Sequence, residues 1–148
     1  MSMHIRAATA EDIDLIFDIR TAVKENHLSR EELAESGITE DTILALIENT
    51  PSVWVAELNH RGCGFAIADQ DEGSIFAMFV HPDFEGQGVG AALLKKAEIF
   101  LFQYFQEIWL ETDAESRAYG FYCRHGWRVA EYFENGDVKM IRTKTAVL

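Results

Sequence analysis

The most constraining feature of the sequence is an apolar strand that runs into a glycine-rich loop, which in turn opens a helix. Residues 74–80 (Ser-Ile-Phe-Ala-Met-Phe-Val) are almost wholly apolar and read as a strand buried on both faces. His81 to Glu85 follow, then Gly86, Gln87, Gly88, Val89, Gly90 and Ala91 at the start of a helix expected over 88–103. Glycines at 86, 88 and 90 allow backbone N–H groups to turn toward a ligand and approach it closely. The helix N-terminus adds about half a positive charge. Together these make a cradle for a phosphate or pyrophosphate that needs no basic side chain. The competing reading is a tight turn and nothing more.

The charge balance narrows the partners. With 13 Lys and Arg against 25 Asp and Glu, the net charge is −12. That sign argues against nucleic acid, which calls for a basic face, and against an anionic membrane surface. It permits a cationic substrate. No apolar run approaches the roughly 20 residues of a membrane helix, and the opening Met1 to Arg6 does not resemble a signal peptide. The expectation is a cytoplasmic protein with one domain spanning 1–148. Two cysteines, Cys63 and Cys123, make neither a disulfide framework nor a zinc site. Both read as reduced thiols in or near the core, and no metal is expected.

The rest of the chain alternates short strands with helices. Residues 4–8 form a short edge strand, and Thr9 with Asp12 resembles a capping box, as does Ser29 with Glu32. Thr39 opens a further helical stretch. Strands at 52–57, 64–69 and 74–80, joined by turns at 59–62 and 70–73, form an antiparallel meander. After the long helix come a strand at 107–112, a helix at 113–124 stopped by Gly126, and strands at 127–133 and 138–143 joined by a hairpin. Trp54 and Trp127 read as core or partner-facing aromatics rather than substrate platforms. With two helices counted before the second strand, the order is β-α-α-β-β-β-α-β-α-β-β, an α/β sandwich on a mixed sheet.

Two phosphate-binding patterns fit poorly. No Gly-x-x-x-x-Gly-Lys-Ser/Thr occurs, which excludes a P-loop. Gly86, Gly88 and Ala91 approximate a dinucleotide fingerprint, with Glu111 about 20 residues further on. Against that reading, residues 81–85 separate the strand from the first glycine. Too little chain follows for two nucleotide-binding halves.

The segment from Phe79 to Leu94 resembles the acyl-CoA-binding motif of the GNAT superfamily of N-acetyltransferases, with Gly88 and Gly90 at its glycine positions. Glu85 stands where the family has Arg or Gln, so the backbone and Gln87 must carry more of the phosphate binding. Residues 118–127, from Ala118 through Tyr122 to Gly126 and Trp127, resemble the family's second motif; its customary Asn is Glu115 here. The opening Ile5 to Asp12 is also typical. The resemblance implies a mixed, mostly antiparallel central sheet flanked by helices. It implies transfer of an acetyl group from acetyl-CoA to a primary amine of a small molecule or peptide, by direct attack in a ternary complex. A noncatalytic acyl-CoA-binding module on the same fold is the alternative. Phe79, Val80 and His81 would meet the pantetheine, and Gln87, Gly88, Val89, Gly90, Ala91 and Arg117 the phosphates. Tyr122 would donate to the leaving thiolate. Some relatives place a basic carboxylate where this chain has Ser74, which leaves Glu72, Glu111 and His81 as candidate bases. The loop at 25–28, with Asn26 and His27, would line the amine site. A homodimer through the late strands is implied by analogy.

Overall fold

The computed structural model describes residues 2–24 and 27–145. Strand β1 (Met3–Ala7) passes through a 3-10 turn at Ala10–Asp12 into α1 (Ile13–Ala22). Helices α2 (Arg30–Glu35) and α3 (Glu40–Asn49) follow, then β2 (Val53–Leu58), β3 (Arg61–Asp69) and β4 (Ser74–Val80). Helix α4 (Val89–Leu101), β5 (Glu107–Asp113), α5 (Arg117–Arg124), β6 (Arg128–Tyr132) and β7 (Asp137–Thr143) complete the order.

Local signals set the element boundaries. The Ser29 hydroxyl accepts from the Glu32 N–H at 3.1 Å, and the Glu32 carboxylate accepts from the Ser29 N–H at 3.1 Å, closing the capping box that starts α2. Thr39 accepts from the Thr42 N–H at 3.2 Å and starts α3. Three helices precede β2 rather than two, because Gly37 takes φ +85° and breaks the chain between α2 and α3. There Ile38 N–H reaches the Leu33 carbonyl at 2.8 Å, a Schellman cap. Helix α5 begins at Arg117, not at 113. Asp113 stays in β5, its carboxylate takes the Glu115 N–H at 2.9 Å, and Ser116 supplies the cap.

The strands form one sheet in the order β1-β2-β3-β4-β5-β7-β6. Every neighbouring pair is antiparallel except β4 and β5. This is the mixed, mostly antiparallel sheet expected. Side chains alternate between its faces. Val53, Phe65 and Ile67 pack against Phe17, Leu33 and Ile43 of α1–α3. Trp54, Ala66, Ile108 and Met140 pack on the other face against Leu93 and Ala97 of α4 and Tyr122 of α5. Trp54 and Trp127 are core residues. Cys63 is buried as expected, whereas Cys123 is exposed, lying on the outer side of α5.

Strand β4 departs from the expected burial. Ser74 and Ile75 are buried, but Phe76 is 51% exposed and residues 77–80 are only partly covered. Only the first two residues of this apolar strand are enclosed. Beyond them its neighbour β5 turns away.

One ion pair ties the N-terminal elements together. Arg6 of β1 grips Asp12 with two bonds of 2.8 and 2.9 Å and also reaches Glu57 of β2 at 3.2 Å. Asp12 further accepts the Thr9 N–H at 2.8 Å. The Arg6 guanidinium holds the Asp12 carboxyl below the ordinary carboxylate range. A depressed carboxylate contributes stability above its unfolded value and loses it as pH falls. Asp12→Asn should therefore cost about 2 kcal/mol in urea melts at neutral pH. The native chain should lose the same margin as pH drops below about 4, and the variant should not.

Candidate functional site

The site grows from an irregularity in β4. The β3–β4 register runs Ile67↔Ala77 and then Ala68↔Ile75, so Phe76 has no partner and forms a bulge. Ahead of the bulge the Gly73 carbonyl accepts from Trp109 N–H at 3.1 Å, on the β5 side. Ser74↔Trp109 is the single paired position of β4 and β5. Beyond the bulge the alternation is reversed. His81 N–H donates to the Cys63 carbonyl of β3 at 2.8 Å, so Phe79 and Ala77 also turn their polar groups to β3. Met78 and Val80 turn theirs toward the gap left by β5.

Among the three residues expected at that edge, Val80 therefore presents backbone groups there, while those of Phe79 and the N–H of His81 are engaged with β3, and the His81 carbonyl accepts from Phe84 N–H at 2.9 Å. Met78 joins Val80, and no sequence signal marks it, because the bulge sits at a phenylalanine rather than a glycine.

At the end of β4 the His81 ring caps a short turn. Its Nδ1 accepts from Asp83 N–H at 3.1 Å, and the ring meets Phe84 edge-on at 6.0 Å. Gly86 and Gly88 then take φ +79° and +87°. These left-handed conformations suit glycine, and a Cβ at Gly86 would meet nothing within 4 Å. The first bond inside α4 runs from Ala92 N–H to Gly88 C=O at 3.2 Å. The N–H groups of Val89, Gly90 and Ala91 precede it and have no acceptor within the helix. The turn-only reading accounts for the left-handed glycines but not for a helix end left open beside the gap in the sheet.

Helix α5 forms the opposite wall. A Cβ on Gly90 would lie 3.5 Å from the Phe121 ring and 3.8 Å from Val80, so Phe121 abuts the cradle. Tyr122 is buried between Phe121 and Trp127, at ring distances of 5.4 and 5.9 Å. Burial pushes its phenol above the ordinary tyrosine value, which keeps it protonated. Gly126 at φ +93° ends α5 in a Schellman cap whose long bond joins Trp127 N–H to the Tyr122 carbonyl at 3.1 Å. Glu98 of α4 accepts from the Trp127 indole at 2.9 Å and from Arg142 of β7 at 3.1 Å, and Arg142 also donates to the His125 carbonyl. Thus α4, β7 and the end of α5 are fixed to one another.

The acidic residue of the loop is paired. Glu85 Oε2 lies 2.5 Å from an Nη of Arg117, the first residue of α5. The candidate bases are spread out. Glu111 follows Trp109 by two residues, which puts it level with Phe76 across the gap, on the sheet face opposite the buried Ile108 and Leu110. Glu72 lies in the β3–β4 turn, beyond the far end of β4 from the cradle, and its carbonyl accepts from the Trp109 indole at 2.9 Å. The Nδ1 of His81 is committed to its cap. His27 Nδ1 lies 3.2 Å from the Val23 carbonyl, and Asn26 lies outside the described residues. On the α1–α3 face, a small apolar pocket lined by Phe17, Leu33, Ile43 and Ala77 extends to Phe76. Buried Arg20 borders it, with its guanidinium 4.4 Å from the centre of the Phe79 ring.

Among the described residues, no group of three or more His, Cys, Asp or Glu is placed to hold a metal, and no helix is long and apolar enough to cross a membrane.

The sheet is thus mixed and splits after one parallel pair, with an open helix N-terminus beside the split. Residues 49–129 match the Acetyltransferase (GNAT) domain, and the chain belongs to that family. An uncharacterised N-acetyltransferase of Methanocaldococcus jannaschii, MJ1530, is 28% identical, with 96% of this chain and 92% of that protein aligned. The fold is shared with the PaiA N-acetyltransferase of Thermoplasma acidophilum, solved in complex with coenzyme A. The TM-score is 0.81 at 18% identity, covering 97% of this chain and 100% of that one. It is also shared with Ard1 of Thermoplasma volcanium, at a TM-score of 0.78 and 21% identity over 98% and 99% of the two chains.

The cradle glycines should differ in tolerance. Gly88→Ala places a Cβ on a left-handed residue and should lower stability by about 1–2 kcal/mol in thermal melts. Gly90→Ala meets only ordinary contacts and lies within α4, so it should be neutral or stabilising by up to about 1 kcal/mol.

Proposed function

We propose that this chain, as one domain spanning 1–148, transfers an acetyl group from acetyl-CoA to a primary amine of a small molecule or peptide in a ternary complex. The carrying observation is the continuity of two sets of backbone donors. The open amides of Val89, Gly90 and Ala91 adjoin the strand edge at Met78 and Val80. An elongated ligand with a pyrophosphate at one end and a peptide-like arm at the other fits that run. Acetyl-CoA has this form, with Gln87 beside its phosphates and Val80 and Met78 along its pantetheine. A family membership that covers the loop, α4 and α5 supports the same ligand.

The chemistry follows from the groups at the gap. The amine nitrogen attacks the thioester carbonyl carbon, a C–N bond forms, and the C–S bond breaks. An N–H of the β4 edge, aimed at the carbonyl oxygen, stabilises the developing charge; one such donor is worth up to about 3–4 kcal/mol. The departing sulfur needs a hydrogen-bond donor, and Tyr122 is the candidate. An ordinary phenol near pKa 10 lies about 1.5 units above an alkyl thiol, so full proton transfer to the thiolate is uphill by about 2 kcal/mol. Burial of Tyr122 widens that gap. Tyr122 therefore acts first as a hydrogen-bond donor, and the proton follows late. The ammonium form of the acceptor must lose a proton before attack. Glu111, level with the bulge and on the face that carries α1–α3, is the best-placed carboxylate to take it. Glu72 is remote, and the Nδ1 of His81 is taken up by its cap. The apolar pocket beside Phe76 opens on that same face, which makes it the acceptor side. Unpaired thiols at Cys63 and Cys123 accord with a cytoplasmic site of action.

Free CoA thiol released against a panel of primary amines tests the proposal. Tyr122→Phe should lower kcat by about 100-fold and leave the KM for acetyl-CoA within about twofold. A wild-type protein that binds acetyl-CoA yet turns over no amine would instead fit a noncatalytic acyl-CoA-binding module. Glu111→Gln should depress the rate at neutral pH and recover as pH rises toward about 10, where the amine deprotonates unaided.

A further inference from the structure

The pocket between β4 and α1–α3 has walls of one chemical kind. Phe17, Leu33, Ile43 and Ala77 line it, and Phe76 lies at its mouth. Leu33 and Ile43 are almost fully buried, so these walls belong to the packed core and keep their shape. No side chain in the lining accepts a hydrogen bond. The one charged residue there, Arg20, is itself a cation and lays its guanidinium on the Phe79 ring. No side chain of the pocket therefore offers an ammonium a hydrogen bond or a counter-charge, and burying one there is costly. An apolar group meets no such penalty. Size narrows it further. The pocket encloses about 30 Å³. A water needs about 10–15 Å³ and benzene about 150 Å³, so the pocket takes roughly two or three carbons and not an aromatic ring.

Phe76 joins this pocket to the reacting centre. The bulge takes it out of the β3 ladder and leaves it 51% exposed. An apolar group seated beside it would cover that surface. Ala77 is in the pocket wall, and the next residue, Met78, is at the open edge of β4. Across the gap Glu111 stands level with Phe76 and supplies the negative charge that the pocket lacks.

We propose that the acceptor is a primary amine bearing a short aliphatic group on the carbon next to its nitrogen. The aliphatic group sits in the pocket beside Phe76, and the nitrogen faces the gap and Glu111. This names the acceptor class within the acetyl-transfer reading above and rests on it. It sets aside polycations, which a net charge of −12 taken alone would favour. Overall charge acts on approach, whereas the fit is decided by the walls of one pocket.

A series of amino-acid amides with acetyl-CoA, followed by thiol release, tests it, because the amides differ in side chain while keeping the same kind of amine. For the wild type, kcat/KM should rise about fourfold from glycinamide to alaninamide and at least about tenfold to valinamide, as each buried carbon adds its share. It should fall again at phenylalaninamide, which overfills the pocket. Lysinamide and putrescine should lie below alaninamide. Two variants locate the effect, with coenzyme A affinity by calorimetry as the check that each is folded. Ala77→Leu fills the pocket and should shrink the valinamide preference over glycinamide to less than about twofold. Ile43→Ala enlarges it and should move the optimum to leucinamide or phenylalaninamide, a gain that damage to the fold does not produce. A flat series, or lysinamide or putrescine as the best acceptor, overturns the aliphatic assignment while acetyl transfer stands. A wild-type preference for valinamide that a folded Ala77→Leu protein keeps overturns the pocket as its seat. A wild-type protein that binds acetyl-CoA and turns over no amine overturns the transferase reading and this inference with it.

Discussion

Strand β4 pairs with β5 only where it begins, at Ser74 and Trp109, and the two strands separate beyond that point. A parallel pair that continued would have consumed the backbone donors and acceptors on that side of β4. The bulge at Phe76 changes which residues own that side. Ahead of it the β5-facing group is the Gly73 carbonyl; after it they are those of Met78 and Val80. A bulge adds one residue to one strand and so exchanges the two faces and the two edges at once. It also explains why Ile75 packs toward α4 while Ala77 packs toward α1–α3. The gap in the sheet, the open edge of β4 and the exposure of Phe76 follow from the one irregularity.

The remainder of the site is held against that edge by short-range chemistry. Gly86 and Gly88, both left-handed, bring α4 in with its N-terminal amides open. Helix α5 is fixed at its far end by the Gly126 cap and by the Glu98–Trp127–Arg142 cluster, which ties it to α4 and β7. Trp127 takes part twice, through its backbone bond to Tyr122 and through its indole bond to Glu98. A phenylalanine at 127 would supply only the first. In an acidic chain of net charge −12 the pull on an anion at this site would come from backbone N–H groups and the helix dipole, and Glu85, the acid next to the first glycine, is paired with Arg117.

Much of this was legible in the sequence because it depends on local rules. Capping boxes, the left-handed glycine that ends α5, the hairpins and the glycine-rich helix start each need particular residues at fixed offsets, and they appear within a residue or two of where those offsets put them. Ser29 and Thr39 each open a helical stretch and Gly37 separates them, so the element order that counts two helices before β2 is one short. Burial was harder to read. An apolar run such as 74–80 looks the same whether it is enclosed or half-open, since composition records side chains and not the path of the neighbouring strand. The bulge carries no glycine or proline to betray it, so Met78 was invisible as a site residue. The Glu85–Arg117 contact spans 32 positions and joins two elements that meet only in the folded chain. Cys123 was misjudged for a similar reason: an amphipathic helix of eight residues does not say which neighbour it will face.

The reversal of alternation at Phe76 can be tested residue by residue. Amide hydrogen exchange should be measured by nuclear magnetic resonance with and without coenzyme A. The predicted result is added protection at Met78, Val80 and residues 89–91, with Ala77 and Phe79 unchanged because β3 already holds their amides. Added protection at Ala77 and Phe79 in place of Met78 and Val80 would contradict the assigned edge. No change at 89–91 would contradict the cradle.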